Sequence, residues 1–137
     1  MQKERINNIE SYLKANEIKP SLQRMKIFKF VDNSHEHPSV EIIYSALKSE
    51  IPTLSKTTVY NTLKLFHEKG VVNFLSIDDK ELRFDTDLSS HGHFKCKECG
   101  KIYDYPISES HSNEIKLEGF EIEESYHYHI GICNKCK

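Results

Sequence analysis

Tryptophan is absent from the 137 residues, glycine occurs five times and proline four. So little punctuation excludes collagen-like repeats and low-complexity linkers. Apolar residues are scarce too, at 37%, and no run approaches the roughly 20 apolar residues of a membrane span. The opening MQKERINNIESYL is charged and periodic, unlike a secretory signal. A soluble, cytoplasmic protein with no membrane partner is therefore expected. Neither sign of charge dominates, since 19 Lys+Arg stand against 21 Asp+Glu for a net of −2. No overall basic field draws the chain to nucleic acid or lipid. A core this modest gains from a bound metal or a second subunit.

What is present is unevenly distributed. Residues 1–84 carry 13 basic and 11 acidic side chains, whereas residues 85–137 carry 6 and 10. All four cysteines and five of the eight histidines lie beyond Asp85. The chain has two unlike halves.

The first half reads as helices with stops between them. Ile6, Ile9, Leu13 and Ile18 form one apolar stripe, broken at Pro20. Ser21 then caps a second helix with Leu22, Met25, Ile27, Phe28 and Val31 inward, ending at Asp32-Asn33-Ser34. His37-Pro38-Ser39 opens a third, with Ile42, Ile43, Ala46 and Leu47 facing a core, and Pro52 closes that region. A fourth begins near Ser55 and carries Val59, Leu63, Leu65 and Phe66 up to Gly70. VVNFLSI and ELRFD around Asp78-Asp79-Lys80 then read as a β-hairpin. Helices followed by a hairpin match a winged helix-turn-helix, whose last helix enters the DNA major groove.

The polar stretch 85–92, DTDLSSHG, reads as a hinge. Beyond it, strands at His93–Lys95 and Ile102–Tyr105, a polar helix at Ser108–Leu117 and a long strand at Phe120–Ile132 make a small α/β unit. The expected fold is α+β. A winged-helix DNA-binding domain (1–84) and a hinge (85–92) precede an α/β dimerisation and metal-binding domain (93–137).

Cys96-Lys97-Glu98-Cys99-Gly100 and Cys133-Asn134-Lys135-Cys136 are two CxxC knuckles. Each spacing lets two thiolates reach one ion, and two knuckles complete a tetrahedral shell for Zn²⁺. In a reducing cytoplasm, metal ligation is the expected use of such cysteines rather than disulfides. Four sulfurs leave no open position, so the zinc is structural. A rubredoxin-like iron centre would use the same four ligands.

His91-Gly92-His93 precedes the first knuckle, and alternate residues of a strand share a face. Asp85 lies upstream, and Asp104 lies on the strand that returns from the knuckle. His37 completes the set if the first half folds over. Five nitrogen and oxygen donors without sulfur suit Fe²⁺ or Mn²⁺. His127 and His129 also alternate, and read as a partly buried strand rather than a metal pair.

In SKTTVYNTLK, Val59 and Leu63 face the core. Thr57, Tyr60, Asn61 and Lys64 then lie on the other side, where Asn reads adenine edges and Lys neutralises phosphate. Lys56 and the helix N-terminus offer further phosphate contacts. One such domain with so little charge binds weakly, so a dimer on two half-sites is expected.

These features occur together in one family. KPSLQRMKIFKF, HPSVEIIYSAL, TLSKTTVYNTLKLFHEKGVV, RFD, HGHFKCKECGKIYDY and GICNKC resemble, in order and spacing, the ferric-uptake-regulator superfamily of metal-dependent repressors. The resemblance is greatest to its peroxide-sensing branch; the iron-sensing relatives commonly carry glutamate where Asp85 and Asp104 stand here. It implies structural zinc on Cys96, Cys99, Cys133 and Cys136. It implies a regulatory Fe²⁺ or Mn²⁺ on His37, Asp85, His91, His93 and Asp104, with His37 and His91 the targets of peroxide-driven oxidation. The implied partners are a second copy of the chain and a palindromic DNA operator. The chain departs from the family at Ser21-Leu22-Gln23-Arg24, which lacks the usual proline. Ser90, Gly92 and Ser125 stand where some iron sensors hold an additional site. An iron- or zinc-level sensor is the near rival; a metallo-hydrolase would need a substrate cleft and a general base that the sequence does not point to, and a protein-binding zinc ribbon would leave the winged-helix pattern unexplained.

Overall fold

The computed structural model describes residues 8–34, 37–76, 82–88, 91–107, 117–122 and 127–137, with His91 by its backbone alone. The chain divides into two compact units, residues 2–88 and 89–137, with Met1 grouped with the second. Four helices and a two-stranded ladder make the first: α1 (Ile9–Ala15), α2 (Leu22–Asn33), α3 (Val40–Leu47), α4 (Lys56–Glu68), β1 (Asn73–Leu75) and β2 (Arg83–Asp85). Each helix starts on a polar cap. Asn8, Ser21, Ser39 and Ser55 accept hydrogen bonds from the amides of Ser11, Arg24, Ile42 and Thr58. Each cap satisfies an amide the helix cannot, a contribution of about 1 kcal/mol apiece.

The core of this unit joins all four helices. Leu13, Phe28, Ile43, Val59 and Phe66 are fully buried, and Phe28 meets Phe66 edge-on at 5.6 Å. Ile18 lies past the end of α1 yet is buried, because the chain reverses at Glu17 (φ 62°) and folds it back. Three expected core residues face outward: Leu22, Ile42 and Ala46 are exposed. Leu22 is the first residue of its helix. In α3, Ile43 and Leu47 stack one turn apart and take the inward stripe, which turns Ile42 and Ala46 away.

The second unit is a three-stranded sheet in the order β4–β3–β5, from β3 (His91–Cys96), β4 (Ile102–Pro106) and β5 (Tyr128–Gly131). β3 and β4 form an antiparallel hairpin around residues 97–101, while β5 adds parallel to β3. The hinge expected at 85–92 is shorter, since Asp85 ends β2 and His91 and Gly92 begin β3. Backbone pairing with Asn73 and with Pro106 and Tyr105 takes up residues whose polarity reads as linker. Of the long strand expected at Phe120–Ile132, Tyr128–Gly131 form β5, Phe120–Ile122 stand outside any ladder, and residues 123–126 lie outside the described residues. The hairpin tip at 78–80, residues 108–116 of the helix expected at Ser108–Leu117, Ile6, Ser90 and Ser125 lie outside the described residues, and Leu117 is exposed and not helical.

Candidate metal centres and nucleic-acid face

Gly100 (φ 77°) permits the turn between β3 and β4, and the Gly100 amide donates to the Cys96 carbonyl. That turn presents Cys96 and Cys99, and the segment after β5 presents Cys133 and Cys136. The four sulfurs lie within 4.8 Å of one another, with Cys99 and Cys133 at 3.9 Å. Sulfurs each about 2.3 Å from a tetrahedral zinc would be about 3.8 Å apart. The donor set and spacing fit the ion.

The electrostatics favour thiolate at two positions. The amides of Cys99 and Cys133 point at Cys96 Sγ at 3.5 and 3.4 Å and lower this thiol to about 6. The Tyr103 hydroxyl beside Cys133 lowers that thiol as well, despite its burial. Cys136 moves the other way, to about 12, chiefly through its neighbour Cys133. Crowded thiolates repel, so full ionisation calls for a cation among them.

In the helical unit, His37 stands in the left-handed region (φ 55°), an uncommon conformation for a side-chain-bearing residue. Its ring is 4% exposed rather than the loop histidine its sequence position implies. Nε2 lies 3.4 Å from Asp85 Oδ2. The loop is strapped across β2: the Phe84 amide donates to the Pro38 carbonyl at 3.0 Å, and Arg83 Nη1 donates to the His37 carbonyl at 3.3 Å. The Asp87 amide donates to Asp85 Oδ1 at 3.1 Å.

In the sheet unit, the knuckle hairpin sets His93 directly across from Asp104. Their Nδ1 and Oδ1 are 2.9 Å apart. Gly92 pairs with Tyr105, whose ring occupies the place a β-carbon would take, so this position admits no larger side chain without moving the ring. His91 opens the same strand. The His127 carbonyl accepts from the His93 amide, and the His129 ring stacks on Tyr105 at 5.9 Å.

On α4, Val59, Thr62, Leu63 and Phe66 are buried. Thr57, Tyr60, Asn61 and Lys64 form the exposed side. Lys56 is also exposed, but it is paired with Glu41 of α3 and lies 5.6 Å from the centre of the Tyr44 ring. Glu41 raises the lysine's pKa, so the cation expected to meet phosphate already has a carboxylate partner. Beside Asn61, a groove of about 470 Å³ runs to the start of α2 and is lined by Lys19, Ser21, Gln23 and Arg24. Lys19 and Arg24 are not among the residues expected from the sequence; a basic pair flanking Pro20-Ser21 before a helix is the signal for them. Asp87, two residues from Asp85, and Tyr103, beside Asp104, are likewise not among them.

A four-helix unit ending in a small β-ladder, joined to a sheet whose cysteines fit zinc, defines the class of two-part, metal-holding winged-helix DNA-binding proteins. Within that class the chain belongs to the ferric uptake regulator family, whose sequence profile matches residues 15–130. It is 36% identical over 127 residues to the peroxide operon regulator of Bacillus subtilis, covering 90% of this chain and 88% of that one. It is 33% identical over 120 residues to the peroxide-responsive repressor PerR of Staphylococcus aureus, covering 84% and 80%. Among solved structures it resembles the ferric uptake regulator of Helicobacter pylori, at a TM-score of 0.76 and 22% identity over 97% of this chain and 96% of that one. The Helicobacter protein has three functional metal-binding sites.

Proposed function

We propose that this chain is a cytoplasmic, metal-dependent transcriptional repressor that senses peroxide. The observation that carries the reading is a segregation of donors. One cluster is all sulfur. The two imidazole–carboxylate pairs, His37–Asp85 and His93–Asp104, contain none. Thiolates hold structural zinc, whereas nitrogen and oxygen donors suit Fe²⁺ or Mn²⁺. The names of the Bacillus and Staphylococcus relatives support the peroxide response.

In this reading Cys96, Cys99, Cys133 and Cys136 hold zinc and tie the last residues to β3. His37, Asp85, His91, His93 and Asp104 share the regulatory metal. His37 and Asp85 belong to the helical unit, and His91, His93 and Asp104 to the sheet unit, so their shared ion favours one arrangement of the two units. Two copies then present their α4 helices to the half-sites of a palindromic operator. The exposed Tyr128, Ile130 and Ile132 in and after the edge strand β5 support association with a second copy. Thr57, Tyr60, Asn61 and Lys64 read and anchor the DNA, with Lys19 and Arg24 beside the groove as further phosphate contacts. Fe²⁺ held by these residues would pass one electron to peroxide, giving hydroxide and a hydroxyl radical, and take one back as the radical adds to the His37 or His91 ring and a proton leaves, whereas Mn²⁺ would support DNA binding without that chemistry. Oxidation of His37 or His91 then removes a donor, releases the arrangement and lowers operator affinity.

The test is DNA binding by zinc-loaded protein with Mn²⁺ or Fe²⁺, before and after trace peroxide, with peptide mass spectrometry. Loss of binding in the Fe²⁺ sample alone, with one oxygen added to His37 or His91, is the expected result. Binding with both metals that peroxide leaves untouched would make this a metal-level sensor. Failure to bind genomic or operator DNA with either metal would end the repressor reading.

A further inference from the structure

Asp32 has no part in the function proposed above, yet it is 2% exposed. It occupies the last turn of α2, which contains no basic residue. A carboxylate there is disfavoured twice. Burial strips its hydration, and the helix C-terminus presents partial negative charge. Packing alone calls for an apolar residue beside Val31 and Phe28.

Asp32 holds the turn after β2. Its Oδ1 accepts a hydrogen bond from the Thr86 hydroxyl at 2.9 Å, across 54 residues of chain. Thr86 is the first residue beyond β2, whose ladder ends at the Asn73–Asp85 pair. Its neighbours on both sides matter. Asp85 directs Oδ2 at His37 Nε2 from 3.4 Å, and the Asp87 amide donates to Asp85 Oδ1 at 3.1 Å. The amide that orients the Asp85 carboxylate therefore lies one residue past the Thr86 anchor. A second tie, from Asn73 Nδ2 to the Asp87 carbonyl, is longer at 3.4 Å.

We propose that the Asp32–Thr86 hydrogen bond is a positioning clip for the regulatory metal: it fixes the turn after β2 so that the Asp87 amide holds the Asp85 carboxylate facing His37. This rests on Asp85 and His37 being ligands. Asp32 acts on Asp85 through the backbone of residues 85–87. With the clip in place, Asp85 is oriented before the ion arrives. Without it, binding must also order the turn, and affinity falls.

Stability and positioning can be separated because Asp32 is buried and Thr86 is half-buried. Removing one partner leaves a polar group unsatisfied, whereas replacing both with apolar side chains is close to neutral or stabilising. The variant is therefore the double substitution Asp32→Val/Thr86→Val in the full-length, zinc-loaded protein. Its thermal midpoint before Mn²⁺ addition should equal or exceed that of the unaltered protein. Mn²⁺ affinity, read from the paramagnetic resonance of free Mn²⁺ during titration, should fall by about tenfold, as losses of orienting groups around metal ligands do. Thr86→Ser alone keeps the hydroxyl and should leave Mn²⁺ affinity as in the unaltered protein. Unchanged Mn²⁺ affinity in the double variant overturns the proposal, and so does an affinity that follows the thermal midpoint across all variants. Asp85→Asn separates the two levels. If it binds Mn²⁺ as the unaltered protein does, the ligand assignment itself fails; if it loses Mn²⁺ while the double variant keeps it, only the clip fails.

Discussion

Two residues at equivalent positions show how much one backbone angle decides. Glu17 after α1 and Gly70 after α4 both have positive φ, at 62° and 74°. In both, the following amide reaches back to close the helix: Ile18 to the Leu13 carbonyl, and Val71 to the Phe66 carbonyl. The same reversal buries Ile18 and Val71. Glycine enters the left-handed region without steric penalty, whereas glutamate does not. The Glu17 carboxylate gains only an exposed pair with Lys69 at 3.7 Å, which contributes little. Glu17→Gly is therefore expected to stabilise the protein by about 1 kcal/mol, and Gly70→Ala to destabilise it by about as much. Urea unfolding of the two variants, followed by helix circular dichroism, measures both signs. Gly70 is legible in the sequence as a helix end. Glu17 is not, because nothing in its side chain marks the angle it adopts.

At the scale of an element, α4 presents one side to the core and another to solvent, but its charge is not simply the sum of its lysines. Lys56 is held by Glu41 and rests against the Tyr44 ring, while Lys64 is exposed. Each lysine that neutralises a phosphate adds about one to the slope of log affinity against log salt. Lys64→Ala should make that slope shallower by about one. Glu41→Gln should free Lys56 and make it steeper by up to about one, with a gain in non-specific binding. A salt series with operator and scrambled duplexes reads both changes. Asn61→Ala is expected to cost about 1–3 kcal/mol on the operator and far less on the scrambled duplex, as loss of a base-edge contact does. The solvent-facing side of α4 was legible from its spacing; the Lys56–Glu41 pair joins two helices and was not.

At the scale of the molecule, the cysteines close a loop running from β3 to the chain's last residues. Among the described residues of the sheet unit, the buried apolar side chains are Cys96, Ile102 and Cys133. Its order therefore depends on the ion far more than does that of the helical unit, whose core joins α1 to α4. Chelation of the zinc, or Cys96→Ser, is expected to abolish hydrogen-exchange protection along β3, β4 and β5 while amides in α2 and α4 keep theirs. Acid should do the same, since protons compete with the metal for the four thiolates. Loss of protection in both units together would show instead that they unfold as one body.

The sequence by itself determined the features that rest on local spacing. A Ser or Asn cap acts three residues ahead, two cysteines in CxxC reach one ion, and His-Gly-His places two side chains on one face of a strand. These relations are set within a turn or two of chain, so composition and periodicity report them. Only the tertiary structure decided the rest: that β5 joins β3 in parallel, that His37 is buried against Asp85, that Tyr105 claims the space above Gly92, and that Asp32 reaches Thr86. Each depends on segments brought together across long loops. The cost of closing such a loop varies only slowly with its length, so spacing carries almost no information about which residues will meet. Packing and the satisfaction of buried polar groups make that selection, and they act only once the chain has folded.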